Sequence, residues 1–167
     1  MAPRWAVKTK SKSKEDTSLF VRANAAWDRG DLRRAFELFS EAAQAGDASS
    51  QLDLGYFFDQ GLYVKTDKQK AMHWYCEAYR RGDPGAANNI ATLHRDAGRV
   101  GKMLWWFRRA VAMGDYDALL ELAKCYENGR GVAKDLLRAK RCYRRLLSSN
   151  SVTEFSREQA TRRLSRL

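Results

Sequence analysis

No run of apolar residues in this chain approaches the ~18 that a membrane helix needs. The opening segment, MAPRWAVKTKSKSKED, is basic, but neither an apolar core nor a small-residue cleavage site follows it. It does not read as a secretory leader, and a cytoplasmic protein is expected. Sustained period-two alternation is missing, which removes the strand signal. Only three cysteines occur, Cys76, Cys125 and Cys142, with no CxxC pair. That excludes a disulfide framework or a zinc ribbon and predicts three small buried side chains. Cys125 and Cys142 could face each other across one helix pair, which would matter only in an exported protein. Histidine is scarce as well: His73 and His94 are the two present. His94 falls at an apolar stripe position, which suits a core role better than catalysis. His73 and Cys76 share a helix face, but two ligands do not close a metal site. The string GRVGK at 98–102 is too short for a phosphate loop and is followed by Met103. GxSxG and HExxH are absent. The expectation is a non-enzyme without catalytic residues, metal or cofactor.

What is present is a soluble, charged, moderately apolar composition, with 31% charged and 44% hydrophobic residues in 167. This length suits one domain with its own core. The net charge of +11 is unevenly placed. Residues 1–16 carry five basic residues against two acids, 17–129 carry fifteen of each, and 130–167 carry eleven against three. A neutral body with basic ends can steer acidic partners toward one end. The basic patch comprises Arg138, Lys140, Arg141, Arg144, Arg145, Arg162, Arg163 and Arg166. It supports an alternative reading as a nucleic-acid-associated protein, although no recognition motif accompanies it.

The body repeats. Gly46-Asp47, Gly82-Asp83 and Gly114-Asp115 close the similar segments EAAQAGD, EAYRRGD and RAVAMGD, at spacings of 36 and 32 residues. Those periods belong to helix-turn-helix solenoids. Each unit holds two helical stripes with spacings of three and four. Small residues (Ala23, Gly55, Ala91, Ala123) allow close approach in the first helix of each unit. Large aromatics (Phe39, Tyr75, Phe107, Tyr143) fill the second. The glycines are placed to end second helices and the following aspartates to cap the next. The fold class is therefore all-α: a right-handed α/α solenoid of about four repeats plus a C-terminal capping helix. The expected divisions are a disordered basic tail at 1–16, repeats at 17–150, and a capping helix at 151–167. That helix is expected to bury Phe155, Ala160, Leu164 and Leu167.

Residues 52–83 and 122–146 resemble Sel1-like repeats, a tetratricopeptide-related family. The run YENGRGVAKD, 126–135, is the most specific part and resembles the family's inter-helix loop. The first and third units depart from it, joining their helices through RGD and AGR. The second has Leu62-Tyr63-Val64 where the family often shows a second glycine. Regular within-repeat cysteine pairs, found in secreted members linked to β-lactams, are absent here.

The resemblance implies a protein-binding scaffold or adaptor, with first helices lining a concave groove. A bacterial toxin-neutralising immunity or regulatory protein is the concrete variant. The groove candidates are Asn24, Trp27, Asp28, Tyr56, Asp59, Gln60, Asn88, Thr92, Arg95, Asp96, Lys124, Glu127 and Asn128. Amides can bracket a partner backbone and Tyr or Trp can anchor it. Trp105, beside the core position of Trp106, is either an exposed contact residue or packs on the adjacent repeat.

Overall fold

A computed structural model describes residues 18–167, so the expected tail at 1–16 lies outside the described residues. Among the described residues the chain forms helices and no strand. They are α1 (Leu19–Asp28), α2 (Leu32–Gln44), α3 (Ala48–Gln60), α4 (Lys68–Arg80), α5 (Pro84–Asp96), α6 (Val100–Ala112), α7 (Ala118–Asn128), α8 (Leu136–Leu147) and α9 (Glu154–Leu164). Each helix packs on the next in sequence, and the tightest pairings are α1–α2, α3–α4, α5–α6 and α7–α8. These are four helix pairs in a row, closed by α9 against α8 and α7.

Capping explains where the helices begin. Asp31, Asp47, Asp67, Asp83 and Asp135 each accept a backbone N–H of the helix that follows. Such a cap is worth about 1 kcal/mol. The glycines before three of them, Gly30, Gly46 and Gly82, take left-handed backbone, as does Gly114 before Asp115. This last pair behaves differently. Asp115 accepts from the backbone N–H of Asp117, two residues on; Asp117 precedes α7 and offers it no side-chain cap. Asp117 instead accepts from the backbone N and hydroxyl of Thr153, at 3.1 and 2.9 Å. It ties the start of α9 to the fourth pair.

The expected alternation of small and large residues sets the helix spacing. Phe39, Tyr75, Phe107 and Tyr143 are all fully buried, as are Ala23, Ala91 and Ala123. Gly55 marks the closest approach: a Cβ there would lie 2.6 Å from the Tyr75 ring.

The last helix is turned from its expected phase. Phe155 is 65% exposed, while Ser156 and Ala160 are buried. Positions 155 and 160 are five apart, which puts them well off a common face. The stripe that packs runs through Ser156, Ala160, Leu164 and Leu167. Thr153 fixes this phase by bonding both Asp117 and Ser156.

The tight fit at Gly55 sets a sign test. Alanine ordinarily gains about 1 kcal/mol over glycine inside a helix. Gly55→Ala should instead destabilise the fold by about 1–3 kcal/mol, because the Tyr75 ring must shift in a filled core. Urea unfolding measures it; a stabilised variant would refute the packing account.

Candidate protein-binding surface

The first helices α1, α3, α5 and α7 share one frame, counted from the small residue that meets the second helix. One position on are Asn24, Tyr56, Thr92 and Lys124. Five on are Asp28, Gln60, Asp96 and Asn128. At about 100° per residue these two sets lie 100° and 140° from the small residue, on one outward face. All four of the latter set are exposed, and Tyr56 is 40% exposed. Asn24, Thr92, Lys124 and Asn88 are half-buried. The Tyr56 ring stands 6.0 Å from that of Trp27 in the preceding unit, which supports it from the packed side. Lys124 reaches Glu121 at 2.6 Å.

Four of the expected groove residues lie elsewhere. Trp27, Asp59, Arg95 and Glu127 fall four positions after the small residue, only 40° round, and lean toward the packed side. Asp59 is 7% exposed and is held by Lys68 Nζ at 2.5 Å and by the Tyr75 hydroxyl, which donates at 3.3 Å. It is a structural carboxylate, not a groove residue. Glu127 repeats the arrangement, accepting from the Tyr143 hydroxyl at 2.6 Å and from Arg163 at 3.1 Å. Both tyrosine hydroxyls are pushed well above their ordinary pKa, first by burial and then by the facing carboxylate. Trp27 packs edge-on to Phe57 at 4.9 Å, and Arg95 reaches Glu121 at 3.5 Å.

The basic residues divide between two helices. Arg141, Arg144, Arg145, Arg162 and Arg166 are exposed and, among the described residues, have no acidic partner. Lys140 is half-buried. Arg138 pairs with Asp135 and lies over the Tyr126 ring, while Arg145 lies over Tyr116. Arg163 turns inward to Glu127. Trp105 is 52% exposed, with the Arg109 guanidinium over its ring. The three cysteines are free. His94 is 7% exposed and its Nδ1 has no hydrogen-bond partner. Burial, then Lys102 and Arg99, hold its pKa below the ordinary value.

Two features escaped the sequence reading. One is a cavity of about 560 Å³ beside α4 and α5, lined by Lys68, Met72, Leu93, His94 and Arg99 among others. Its signal was the short AGR turn. The other is Asp53, which burial and then the neighbouring Asp83 and Asp47 push up to about 6.

A family model for the Sel1 repeat matches residues 28–47, 48–83, 104–115 and 117–151. The chain belongs to the Sel1 repeat family. The Sel1 repeat model leaves out residues 84–103, which hold α5 and its short turn. Among curated proteins, an ERAD-associated E3 ubiquitin-protein ligase component, HRD3 of Candida glabrata, is 27% identical over 126 residues, covering 71% of this chain and 15% of that protein. Its counterpart HRD3A of Arabidopsis thaliana is 31% identical over 72 residues, 42% of this chain and 11% of that one. This chain thus spans under a fifth of the length of either relative. A solved Sel1 repeat protein from Oxalobacter formigenes superposes with a TM-score of 0.66 at 25% identity, over 77% of this chain and 54% of that one. A protective antigen of uropathogenic Escherichia coli, also of this fold, gives 0.66 at 26% identity, over 77% and 29%. Sel1 repeat proteins generally mediate protein–protein contacts. No helix among the described residues is long and apolar enough to cross a membrane.

Asp59→Ala should lower stability by about 1–3 kcal/mol, since it strands the buried Tyr75 hydroxyl. Urea unfolding reads this. Asp53 supplies a pH test. Its folded pKa of about 6 lies above the ordinary 3.8, so the folded state holds the extra proton between these values. Stability therefore falls as pH rises through that window. Asp53→Asn should flatten the fall and raise the melting temperature at pH 7, with no gain at pH 3.5.

Proposed function

We propose that this chain is a non-catalytic protein-binding module that holds a partner along the outward face of its first helices. The observation that carries the reading is that face itself: Asp28, Gln60, Asp96 and Asn128 stand exposed at one repeated position of the first helices of four successive pairs, with Tyr56 exposed beside them. Amides and both signs of charge suit a partner backbone with mixed side chains, and an aromatic at one end suits an anchor. Trp27 would back the Tyr56 ring, and Asn88, Thr92 and Lys124 would line the middle. Relatives named as components of a ubiquitin-ligase assembly support a role in joining proteins. A toxin-neutralising immunity protein would be the tight one-to-one form of the same activity. Three free cysteines fit a reducing compartment such as the cytoplasm.

A second reading rests on the exposed arginines of α8 and α9, which lack acidic partners among the described residues. Such a set could neutralise nucleic-acid phosphates with steep salt dependence.

One capture experiment separates the two. Tagged protein is drawn from source lysate with and without nuclease and the bound species are identified by mass spectrometry. The expected outcome is one stoichiometric protein that survives nuclease and is lost from the Tyr56→Ala plus Asn88→Ala variant. Material that disappears on nuclease treatment would overturn the proposal in favour of the basic end.

A further inference from the structure

The four pairs differ in how their helices are joined. Seven residues, 61–67 and 129–135, join the second and fourth pairs; three, 29–31 and 97–99, join the first and third. The two long loops have one shape. Asp67 N donates to Phe58 O at 2.8 Å, and Asp135 N donates to Tyr126 O at 2.9 Å. Each long loop covers the first turns of the preceding second helix. In the second pair, Leu62 packs with Leu32 and Phe36 of α2, and the Tyr63 ring stands 5.6 Å from Phe36. In the fourth, Gly131 lies so close to Val100 and Leu104 of α6 that a Cβ would collide with Val100.

The equivalent places on α4 are Lys68 and Met72, and the third pair has no loop to cover them. The cavity of about 560 Å³ stands there. Met72 and Leu93 supply its apolar surface, Lys68 and Arg99 its cationic rim, and Asp96 its edge. The His94 imidazole forms part of the wall, 93% buried by its 7% exposure, with Nδ1 unpaired. The helix end beside it is also incomplete. Asp67 and Asp135 end the long loops and cap α4 and α8, whereas Arg99 stands at that position before α6 and makes no side-chain cap. An uncapped helix start with Arg99 and Lys102 beside it favours an anion.

We propose that this notch receives an extended loop of a partner protein that carries an apolar residue three to five positions before an acidic one. The chain's own loops show the pattern, as Leu62 and Tyr63 pack at α2 ahead of Asp67 and Val132 packs in the core ahead of Asp135. The apolar side chain fits over Met72 and Leu93, and the carboxylate meets Arg99 and the open start of α6. The inference deepens the protein-binding reading by adding a second contact outside the first-helix face, which it touches only at Asp96.

A random peptide library displayed on phage, panned against the full chain, tests it. Enriched peptides should share an apolar residue three to five positions before an Asp or Glu. Their binding should survive in the Tyr56→Ala plus Asn88→Ala variant and fall about tenfold or more in Met72→Glu. A graft that replaces residues 97–99 with the sequence of 129–135 should abolish it without removing any lining side chain except those of Ala97 and Arg99, because the chain then fills its own notch. Circular dichroism confirms that each variant is folded. Failure to enrich peptides, enrichment without that spacing, or binding unchanged in Met72→Glu and the graft would overturn the proposal. Peptides lost only from the Tyr56→Ala plus Asn88→Ala variant would refute the notch while supporting the first-helix face.

Discussion

Everything in this chain hangs on the distance between the two helices of a pair. A fully buried aromatic in the second helix presses on a residue no larger than alanine in the first. Interiors are packed to crystal-like density, so this contact leaves little slack. It recurs in all four pairs, and it orients the first helix as well. Once the small residue faces inward, positions one and five further on must face out. The outward face is a consequence of the packing and needs no separate device.

The second recurring feature couples the core to the loops. In the two long-loop pairs the buried aromatic is Tyr75 or Tyr143, and its hydroxyl finds Asp59 or Glu127. In the two short-turn pairs it is Phe39 or Phe107, and Trp27 or Arg95 stands at the position the carboxylate holds in the others. A buried hydroxyl requires a partner and a phenyl ring requires none, so the two choices must change together. Lys68, at the start of α4, also reaches Asp59 and binds the long loop's far end to the preceding helix. Tyr63 shows how firmly that loop is held. It takes the left-handed backbone that Gly131 takes in the fourth pair, with φ of 60° against 72°. A non-glycine residue there costs on the order of 1 kcal/mol, offset by packing of its ring on Phe36.

Charge follows the same architecture. Acids gather where second helices hand over to first ones, because Asp47 and Asp83 cap α3 and α5 there. Both stand close enough to Asp53 to raise its cost of ionisation, on top of its burial. Five arginines without acidic partners among the described residues lie exposed on α8 and α9. A wet surface suits arginine, whose stem can still lie over an aromatic ring, as those of Arg138 and Arg145 lie over Tyr126 and Tyr116.

The repeat, the helix pairs, their small and large core positions and the presence of a final helix were all legible in the sequence. They rest on local periodicity and capping, which act over a few residues. Most of the outward face was legible too, since Tyr56, Gln60 and Asn128 follow from helix phase. Tertiary structure decided what depends on neighbours. Asp59 and Glu127 look like surface carboxylates until a tyrosine from the paired helix arrives beneath them. Asp115 caps the turn that leads into α7, while Asp117 takes the helix start and is drawn to Thr153. Phe155 looks like core, yet Thr153 sets a phase that turns it out. The notch over Met72 exists only because the loop that would cover it is missing from the next repeat. Each of these is a contact between residues distant in sequence, and periodicity along one helix carries no information about what a second helix brings to meet it.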